Sequence, residues 1–241
     1  MIFMKNKQKV FNQGVSLFII ILICFACASL ALAGEFIVFG PKTYIRETSG
    51  PKTVDDKFTI LNPNAQFFLR IINGSLEDSE IEKVSSSVIY LNGQKIISPD
   101  KFNQNVNYLE SPVNLNINNF ISIEVRSKPG GRMTAKVVGR DGALPQIQIV
   151  SPANNSFLES KNTSVNIILT DDISGINPAT FKVFLNNQEI TSLFVLPEYS
   201  LSTSARTKND LVLQEDKNVL EVRVSDGANN SQTASSIITV R

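Results

Sequence analysis

The chain has 241 residues, of which 42% are hydrophobic and 19% are charged, and its formal net charge is +1 at pH 7. This composition is typical of one large or two small folded domains, and a disordered chain is not expected. The sequence contains no histidine, and both cysteines lie within residues 1–33. Ser-His and Cys-His catalysis, histidine-bound transition metals and cysteine zinc sites are therefore excluded for the rest of the chain.

Residues 1–33 are predicted to form a secretory signal peptide. Three lysines are the only charged residues of this segment, and an apolar run over residues 15–33 follows them. The run ends in the small-x-small pattern of Ala31, Leu32 and Ala33, which is typical of a signal peptidase cleavage site. Cleavage after Ala33 would give a chain that starts at Gly34 and has no cysteine, so no disulfide is expected.

Two alternatives to this cleavage stay open. The apolar run is about as long as a membrane span, so an uncleaved N-terminal anchor is one of them. Lipid attachment at Cys27 is the other, although the preceding Cys24-Phe25-Ala26 departs from the bacterial lipobox pattern. All three interpretations place the remainder outside the cytoplasm, secreted or at the cell surface. This remainder has no basic run, so nucleic acid and anionic membrane surfaces are not expected as partners.

The chain after residue 33 is predicted to be all-β. Apolar and polar residues alternate over short runs bounded by Asn, Gly, Pro and Ser, and no long window has the apolar spacing of a helix. The composition of residues 139–145 indicates a linker, and each side has enough strands for a two-layer core. We therefore predict two tandem β-sandwiches, over residues 34–140 and 146–241, joined by residues 141–145. The predicted strands are residues 36–39, 43–47, 57–61, 66–72, 84–91, 94–97, 113–117, 121–127, 134–138, 147–150, 165–170, 181–185, 189–191, 210–213, 219–225 and 235–240.

A nearly repeated segment predicts the same hairpin in both halves. "SVIYLNGQKIIS" at residues 87–98 is similar to "TFKVFLNNQEIT" at residues 180–191. Asn92-Gly93 and Asn186-Asn187 take the two central positions of a two-residue turn, where both residues need positive φ. The likeness continues into the following strands, "NNFISIEVRS" and "KNVLEVRVSD". Either the halves are related, or short β-hairpins resemble each other by chance.

Three spaced segments near the C-terminus carry a family resemblance. "LPQIQIVSPANNSFL", "TDDISGINPATFKVFLNNQEIT" and "NVLEVRVSDGANN" resemble the bacterial immunoglobulin-like domains that occur in tandem in exported surface and adhesion proteins. The resemblance covers residues 144–241 and implies an immunoglobulin-like sandwich for the second domain. Residues 35–140 are similar, more loosely, to β-sandwich modules that precede such domains in large exported bacterial proteins. No enzymatic activity comes with either resemblance.

The sequence favours a non-catalytic structural or binding protein. We expect a role in adhesion or in contact with a protein or an extracellular polymer, without a cofactor. A carbohydrate-binding module is the alternative, although the chain has no tryptophan and few tyrosines for an aromatic platform. Partner-binding residues are expected in the irregular segments 76–82 and 196–208, where the two halves differ. The tyrosines are Tyr44, Tyr90, Tyr108 and Tyr199.

Calcium stays an open alternative, because it is a metal that oxygen ligands alone can hold. Asp171 and Asp172 follow one predicted strand and Asp226 follows another, so these carboxylates are candidates for a weak site between the domains or in the loops. The simpler interpretation is that Asp171 and Asp226 accept hydrogen bonds from their own turns. The residue spacing of a calcium-binding loop is absent, so no metal site is predicted.

Overall fold

The fold is all-β, which confirms the predicted class. The computed structural model describes residues 34–74 and 82–241, which belong to one compact unit. The helical elements among these residues are two 3-10 turns, Pro99–Lys101 and Thr191–Leu193. No helix within the described ranges is long and apolar enough to cross a membrane. The predicted signal peptide, with Ala31 and Ala33, lies outside the described residues.

The first sandwich consists of two four-stranded sheets that enclose one hydrophobic cluster. Buried and more exposed side chains alternate along its strands, so one face of each sheet supplies the core. Its strands are β1 (Gly34–Ile45), β2 (Lys52–Thr59), β3 (Gln66–Asn73), β4 (Ser87–Leu91), β5 (Gln94–Ile97), β6 (Tyr108–Val113), β7 (Asn118–Val125) and β8 (Arg132–Asp141). The sheets have the orders β1-β8-β3-β6 and β2-β7-β4-β5, with every pair antiparallel.

The second sandwich has its own hydrophobic cluster, which includes Ile167, Leu169, Val183 and Leu220. Its strands are β9 (Gln146–Ser151), β10 (Ser156–Leu158), β11 (Asn162–Thr163), β12 (Asn166–Thr170), β13 (Ile176–Leu185), β14 (Gln188–Glu189), β15 (Phe194–Val195), β16 (Ser202–Thr207), β17 (Leu211–Val212), β18 (Asp216–Asp226) and β19 (Ser231–Val240). The main sheets have the orders β15-β16-β12-β9 and β10-β19-β18-β13-β14, and β11 pairs with β17.

The strand order of the second sandwich is that of an immunoglobulin-like domain. In chain order, β9, β12, β15 and β16 correspond to strands A, B, D and E, which form one sheet. β13, β18 and β19 correspond to strands C, F and G of the opposite sheet, with β14 added beside C. The short β10 joins this sheet by parallel pairing with β19. The arrangement agrees with the predicted immunoglobulin-like sandwich.

Both predicted hairpins are present with the predicted turn. The φ angles are 52° at Asn92 and 81° at Gly93, and they are 50° at Asn186 and 68° at Asn187. These turns join β4 to β5 and β13 to β14. Asparagine and glycine tolerate the left-handed region at lower cost than other residues, which explains why they occupy these positions.

Each turn is held by a buried asparagine in the strand that pairs beside the hairpin, Asn119 of β7 or Asn218 of β18. Asn92 Nδ2 donates to Asn119 Oδ1 at 2.9 Å, and Asn186 Nδ2 donates to Asn218 Oδ1 at 3.0 Å. In return, Oδ1 of each turn asparagine accepts the backbone N–H of the residue after the buried asparagine, at 2.9 and 2.8 Å. The same pair of bonds in both halves favours the interpretation that the halves are related.

The structure joins the strands predicted over residues 36–39 and 43–47 into β1 and adds the short β10, β11 and β15. It also differs from the prediction in two further segments. The strand predicted over residues 113–117 instead pairs over Tyr108–Val113, where Pro112 is tolerated because β6 is an edge strand. Residues 196–208, predicted to be an irregular loop, contain β16, which lies between β15 and β12 in its sheet. The backbone of β16 pairs with β12 over Ser202–Arg206 and with β15 at Arg206 and Thr207, so the irregular loop that was expected here is confined mainly to residues 196–201.

Candidate metal centre at the junction of the sandwiches

The end of the first sandwich packs against two turns of the second. β8 ends at Asp141, residues 171–175 join β12 to β13, and residues 227–230 join β18 to β19. Ala228 is only 5% exposed and belongs to the hydrophobic cluster of the first sandwich, and Ile173 packs against the same cluster. The two sandwiches therefore share a buried junction.

Hydrogen bonds also cross this junction. Asp141 Oδ2 accepts the backbone N–H of Ser174 at 3.1 Å, and Asn230 Nδ2 donates to the Asp141 carbonyl oxygen at 3.1 Å. Asn62 Nδ2 of the first sandwich donates to the Asp172 carbonyl oxygen at 2.5 Å. The two bonds of Asp141 satisfy polar groups that are buried or partly buried, and all three bonds fix the turns against the end of the first sandwich.

Three buried aspartates meet at this place. Asp141 is the last residue of β8, Asp171 follows β12, and Asp226 is the last residue of β18. Their exposed fractions are 1%, 3% and 0%. One carboxylate oxygen from each lies within 4.8 Å of those from the other two. We call these three residues the aspartate triad.

Two members of the triad accept backbone hydrogen bonds in the same way. Asp171 Oδ1 accepts the N–H groups two and four residues further on, at 3.1 and 2.6 Å. Asp226 Oδ1 accepts the N–H groups at the same two spacings, at 2.9 and 2.8 Å. The sequence-based prediction that both carboxylates bind their own turns is therefore confirmed. Their proximity to each other and to Asp141 is the additional feature that the structure reveals.

The triad concentrates negative charge in a buried place. None of the ion pairs within residues 34–74 and 82–241 includes Asp141, Asp171 or Asp226. Asp171 Oδ2 is buried and has no hydrogen-bond donor among the described residues. Buried carboxylates without a counter-charge are strongly unfavourable, so this arrangement calls for a compensating group.

The charge of the triad affects neighbouring ionisable groups. Burial raises the pKa of Asp226, hydrogen bonds from Asn230 oppose that shift, and the charges of Asp141 and Asp171 add to it. Burial likewise raises the pKa of Tyr199, and the charges of Asp171 and Asp226 contribute to the increase. Both shifts have the sign expected for a local excess of negative charge.

The donor set limits what the triad can bind. It offers carboxylate oxygens only, which suit hard cations such as calcium, magnesium and manganese rather than soft thiophilic metals. The burial of all three side chains also keeps them from a substrate in solution. The arrangement thus suits a structural cation better than acid or base catalysis.

The structure unites only some of the candidate residues. Asp171 and Asp226 belong to the triad, whereas the neighbouring Asp172 is exposed and does not. Asp141 was missed because its Gly-rich surroundings indicate a linker. A signal was nevertheless present: Asp141 and Asp226 both begin an Asp-Gly-Ala segment, and in both cases the Asp Oδ1 accepts the alanine N–H at 2.9 Å.

A pocket of about 340 Å³ lies at the junction, and both sandwiches contribute to its walls. Phe36, Ile60 and Phe67 come from the first sandwich, and Ser174 and Tyr199 come from the second. The Tyr199 hydroxyl donates to the Ser174 carbonyl oxygen at 2.7 Å. The pocket therefore belongs to the same junction.

The other three tyrosines lie on strands of the first sandwich and differ in their surroundings. Tyr44 is buried and donates to Asp56 Oδ2 at 2.7 Å, whereas Tyr108 is exposed and donates to Glu110 Oε2 at 2.7 Å. Tyr90 is half-buried on β4. These arrangements explain Tyr44, Tyr90 and Tyr108 as parts of their own sheets.

No protein-family model matches the sequence, and no curated protein matches it significantly. Among solved structures, a β-galacturonidase from Eisenbergiella tayi is similar at 9% identity and a TM-score of 0.28, with 87% of this chain and 42% of that chain covered. This chain thus spans less than half the length of the galacturonidase.

Two further solved structures are similar over most of their length. The fibronectin(III)-like modules of CbhA from Clostridium thermocellum share 13% identity with a TM-score of 0.30, and the match covers 83% of this chain and 94% of that chain. The two tandem V-type regions of VCBP3, a v-region-containing chitin binding protein, share 8% identity with a TM-score of 0.23, over 83% and 99% of the two chains. Likenesses at this level carry no argument about family or function.

Proposed function

We propose that the protein is an exported, non-catalytic structural or binding protein that acts at the cell surface or outside the cell. The buried junction supports this proposal, because Ala228 and Ile173 of the second sandwich pack on the core of the first. Two sandwiches joined in this way would offer the surfaces of both to one protein or extracellular polymer. The resemblance of residues 144–241 to domains of exported surface and adhesion proteins supports the same role.

Catalysis is not proposed, for two reasons. The triad is buried, as described above, and cannot reach a substrate. The second reason concerns the acidic side chains of Glu35 and Glu110, whose carboxylates both contact Arg70 at 2.6 Å on a sheet surface. Hydrogen bonding to Arg70 lowers the pKa of Glu35, and hydrogen bonds from Tyr108 and Arg70 lower the pKa of Glu110. A general acid needs the opposite shift.

Export is tested by cell fractionation with N-terminal sequencing of the protein. Cleavage after Ala33 gives a chain that begins at Gly34 outside the cytoplasm. An uncleaved anchor gives the intact N-terminus in the membrane fraction, and lipid attachment gives a modified Cys27 at the N-terminus. A cytosolic protein that still begins at Met1 would overturn the proposal.

Binding is tested with labelled protein on cell-envelope preparations and on a glycan array. A protein partner gives binding that is lost after protease treatment of the envelope, and an extracellular polymer gives binding that survives it. Specific signals on the glycan array would instead support the carbohydrate-binding alternative. Turnover of a glycoside or peptide substrate by the purified protein would contradict the non-catalytic role.

A further inference from the structure

We propose that the aspartate triad of Asp141, Asp171 and Asp226 binds one calcium ion, which ties the two sandwiches together. The proposal goes beyond the function given above and does not depend on export or on any partner. It rests on the convergence of three buried carboxylates, on an unpartnered carboxylate oxygen among them, and on the positions of the three residues in the fold.

The unpartnered oxygen distinguishes the triad from an ordinary acidic cluster. Asp171 directs a carboxylate oxygen to within 4.8 Å of those of Asp141 and Asp226, and its side chain is almost completely buried. Its Oδ1 is satisfied by two backbone N–H groups, but its Oδ2 has no donor among the described residues. An ionised carboxylate of this kind needs a positive partner, and no lysine or arginine in the described part of the chain pairs with it.

The burial of the triad, rather than its size, favours calcium over magnesium. Two oxygens on opposite sides of a calcium ion lie about 4.6–5.2 Å apart, since Ca–O distances are about 2.3–2.6 Å. Oxygens within 4.8 Å of one another can therefore share a calcium ion without rearrangement of the turns. Magnesium demands Mg–O distances of about 2.0–2.1 Å in a near-ideal octahedron and gives up its waters reluctantly, which suits a buried site poorly.

The positions of the ligands give the ion a structural role. Asp141 ends the last strand of the first sandwich, whereas Asp171 and Asp226 belong to two turns of the second. An ion held by all three would neutralise most of the buried charge and would bind only when the junction is formed. Calcium should therefore stabilise the folded pair of sandwiches and have little affinity for the unfolded chain.

The test begins with the wild-type protein, so it does not depend on the folding of a variant. The purified protein is treated with EDTA, dialysed, and titrated with calcium chloride by calorimetry, and bound metal is measured by mass spectrometry. We expect one calcium per chain. We also expect a melting temperature about 5–10 °C higher at a calcium concentration roughly 100 times the dissociation constant. Magnesium at the same concentration should give a clearly smaller shift.

Asp171→Asn tests the site itself, and Asp172→Asn is the matched control one residue away. Asp171→Asn removes the charge of the unpartnered carboxylate, so calcium affinity should fall at least tenfold, and the calcium-dependent shift at the same calcium concentration should fall to about half or less. Asp172 is exposed and outside the triad, so Asp172→Asn should keep wild-type affinity. If Asp171→Asn fails to fold, Asp141→Asn is the replacement, and it tests the contribution of the first sandwich.

Three results would overturn the proposal. The first is a wild-type protein without bound calcium whose melting temperature is the same in calcium and in EDTA. The second is equal loss of calcium binding in Asp171→Asn and Asp172→Asn. The third is a stabilising shift produced by magnesium but not by calcium, which would assign the triad to another cation.

Discussion

At the scale of single residues, the buried Asn119 and Asn218 each hold several backbone and side-chain groups in place through hydrogen bonds. Asn218 is fully buried and uses both ends of its amide. Its Oδ1 accepts Asn186 Nδ2 and the Gln214 backbone N–H, and its Nδ2 donates to the Gln214 carbonyl oxygen at 2.9 Å. Asn119 makes the corresponding bonds with Asn116 in the first sandwich. Each amide thus closes the loop before its strand and holds the hairpin turn.

Replacing Asn218 with alanine should destabilise the protein by about 2–3 kcal/mol, because buried backbone groups and Asn186 would lose their partners. Urea unfolding at neutral pH measures the effect as a lower midpoint with an unchanged slope. Asn209 is exposed, so Asn209→Ala should change stability by about 0.5 kcal/mol or less. Equal midpoints for the two variants would show that the amide network contributes little.

Sequence reasoning succeeds at the residue scale where a local rule applies. Asn92 and Asn186 were predicted to adopt positive φ because a two-residue turn between alternating strands requires it. The aspartate triad was not predicted, since its members are far apart in the chain and only the fold brings them together. Asp141 in particular lacks any apolar pattern that would mark it as the end of a buried strand.

At the scale of elements, an ionic row crosses the sheet β1-β8-β3-β6 on its outer face. Arg70 on β3 pairs with Glu35 on β1 and with Glu110 on β6, each at 2.6 Å, and Arg140 on β8 approaches Glu35 at 3.5 Å. The row links both edge strands to the centre of the sheet. Its members are partly exposed, so each pair contributes about 1 kcal/mol or less.

The row predicts a pH dependence that Glu35→Gln should reduce. The hydrogen bond from Arg70 lowers the pKa of Glu35 below its usual 4.5. The stabilisation is therefore complete above that value and is lost as the pH falls through the lower pKa of the folded state. Urea unfolding should show that the wild type is more stable than Glu35→Gln at about pH 6, by about 1 kcal/mol or less, and that this difference is smaller at about pH 3.

Glu159→Gln is the control for this prediction, because Glu159 is exposed and takes part in no ion pair of the described residues. Its stability should follow the wild type at both pH values. A difference between wild type and Glu35→Gln that grows as the pH falls would have the wrong sign and would contradict the proposed role of the row.

The sequence-based prediction failed for strands that pair through their backbones but have no alternating pattern of apolar side chains. β16 has the sequence Ser-Thr-Ser-Ala-Arg-Thr, in which only Ala205 and Thr207 are buried. Such a polar segment gives no apolar alternation, yet β12 and β15 pair with it on both sides. β6 was misplaced because Pro112 argues against a strand, although an edge position tolerates it.

At the scale of the whole molecule, the junction couples two separate cores. Ala228 lies in the hydrophobic cluster of the first sandwich but belongs to a turn of the second. Ala228→Asp would bury an unpaired carboxylate there, which costs several kcal/mol. We expect wild-type unfolding as one calorimetric transition, and Ala228→Asp to unfold as two, with the first sandwich melting earlier.

Ala179→Asp provides the comparison, since Ala179 is an exposed alanine of the second sandwich. It should keep the single transition and nearly the wild-type melting temperature. Two transitions in the wild type, or an unchanged single transition in Ala228→Asp, would show that the cores are energetically independent.

The place of Ala228 in the chain has a consequence for the order of folding. The residues of the first sandwich are synthesised before those of the second. Ala228, which belongs to the core of the first sandwich, comes after nearly all of the second sandwich in the sequence. Because synthesis starts at the N-terminus, strands β1 to β8 can pair early. The first sandwich nevertheless stays incompletely packed until the turn that contains Ala228 has been synthesised. The last step of maturation is then a docking event between the halves, and an interrupted chain would expose an apolar patch on the first sandwich to chaperones and proteases.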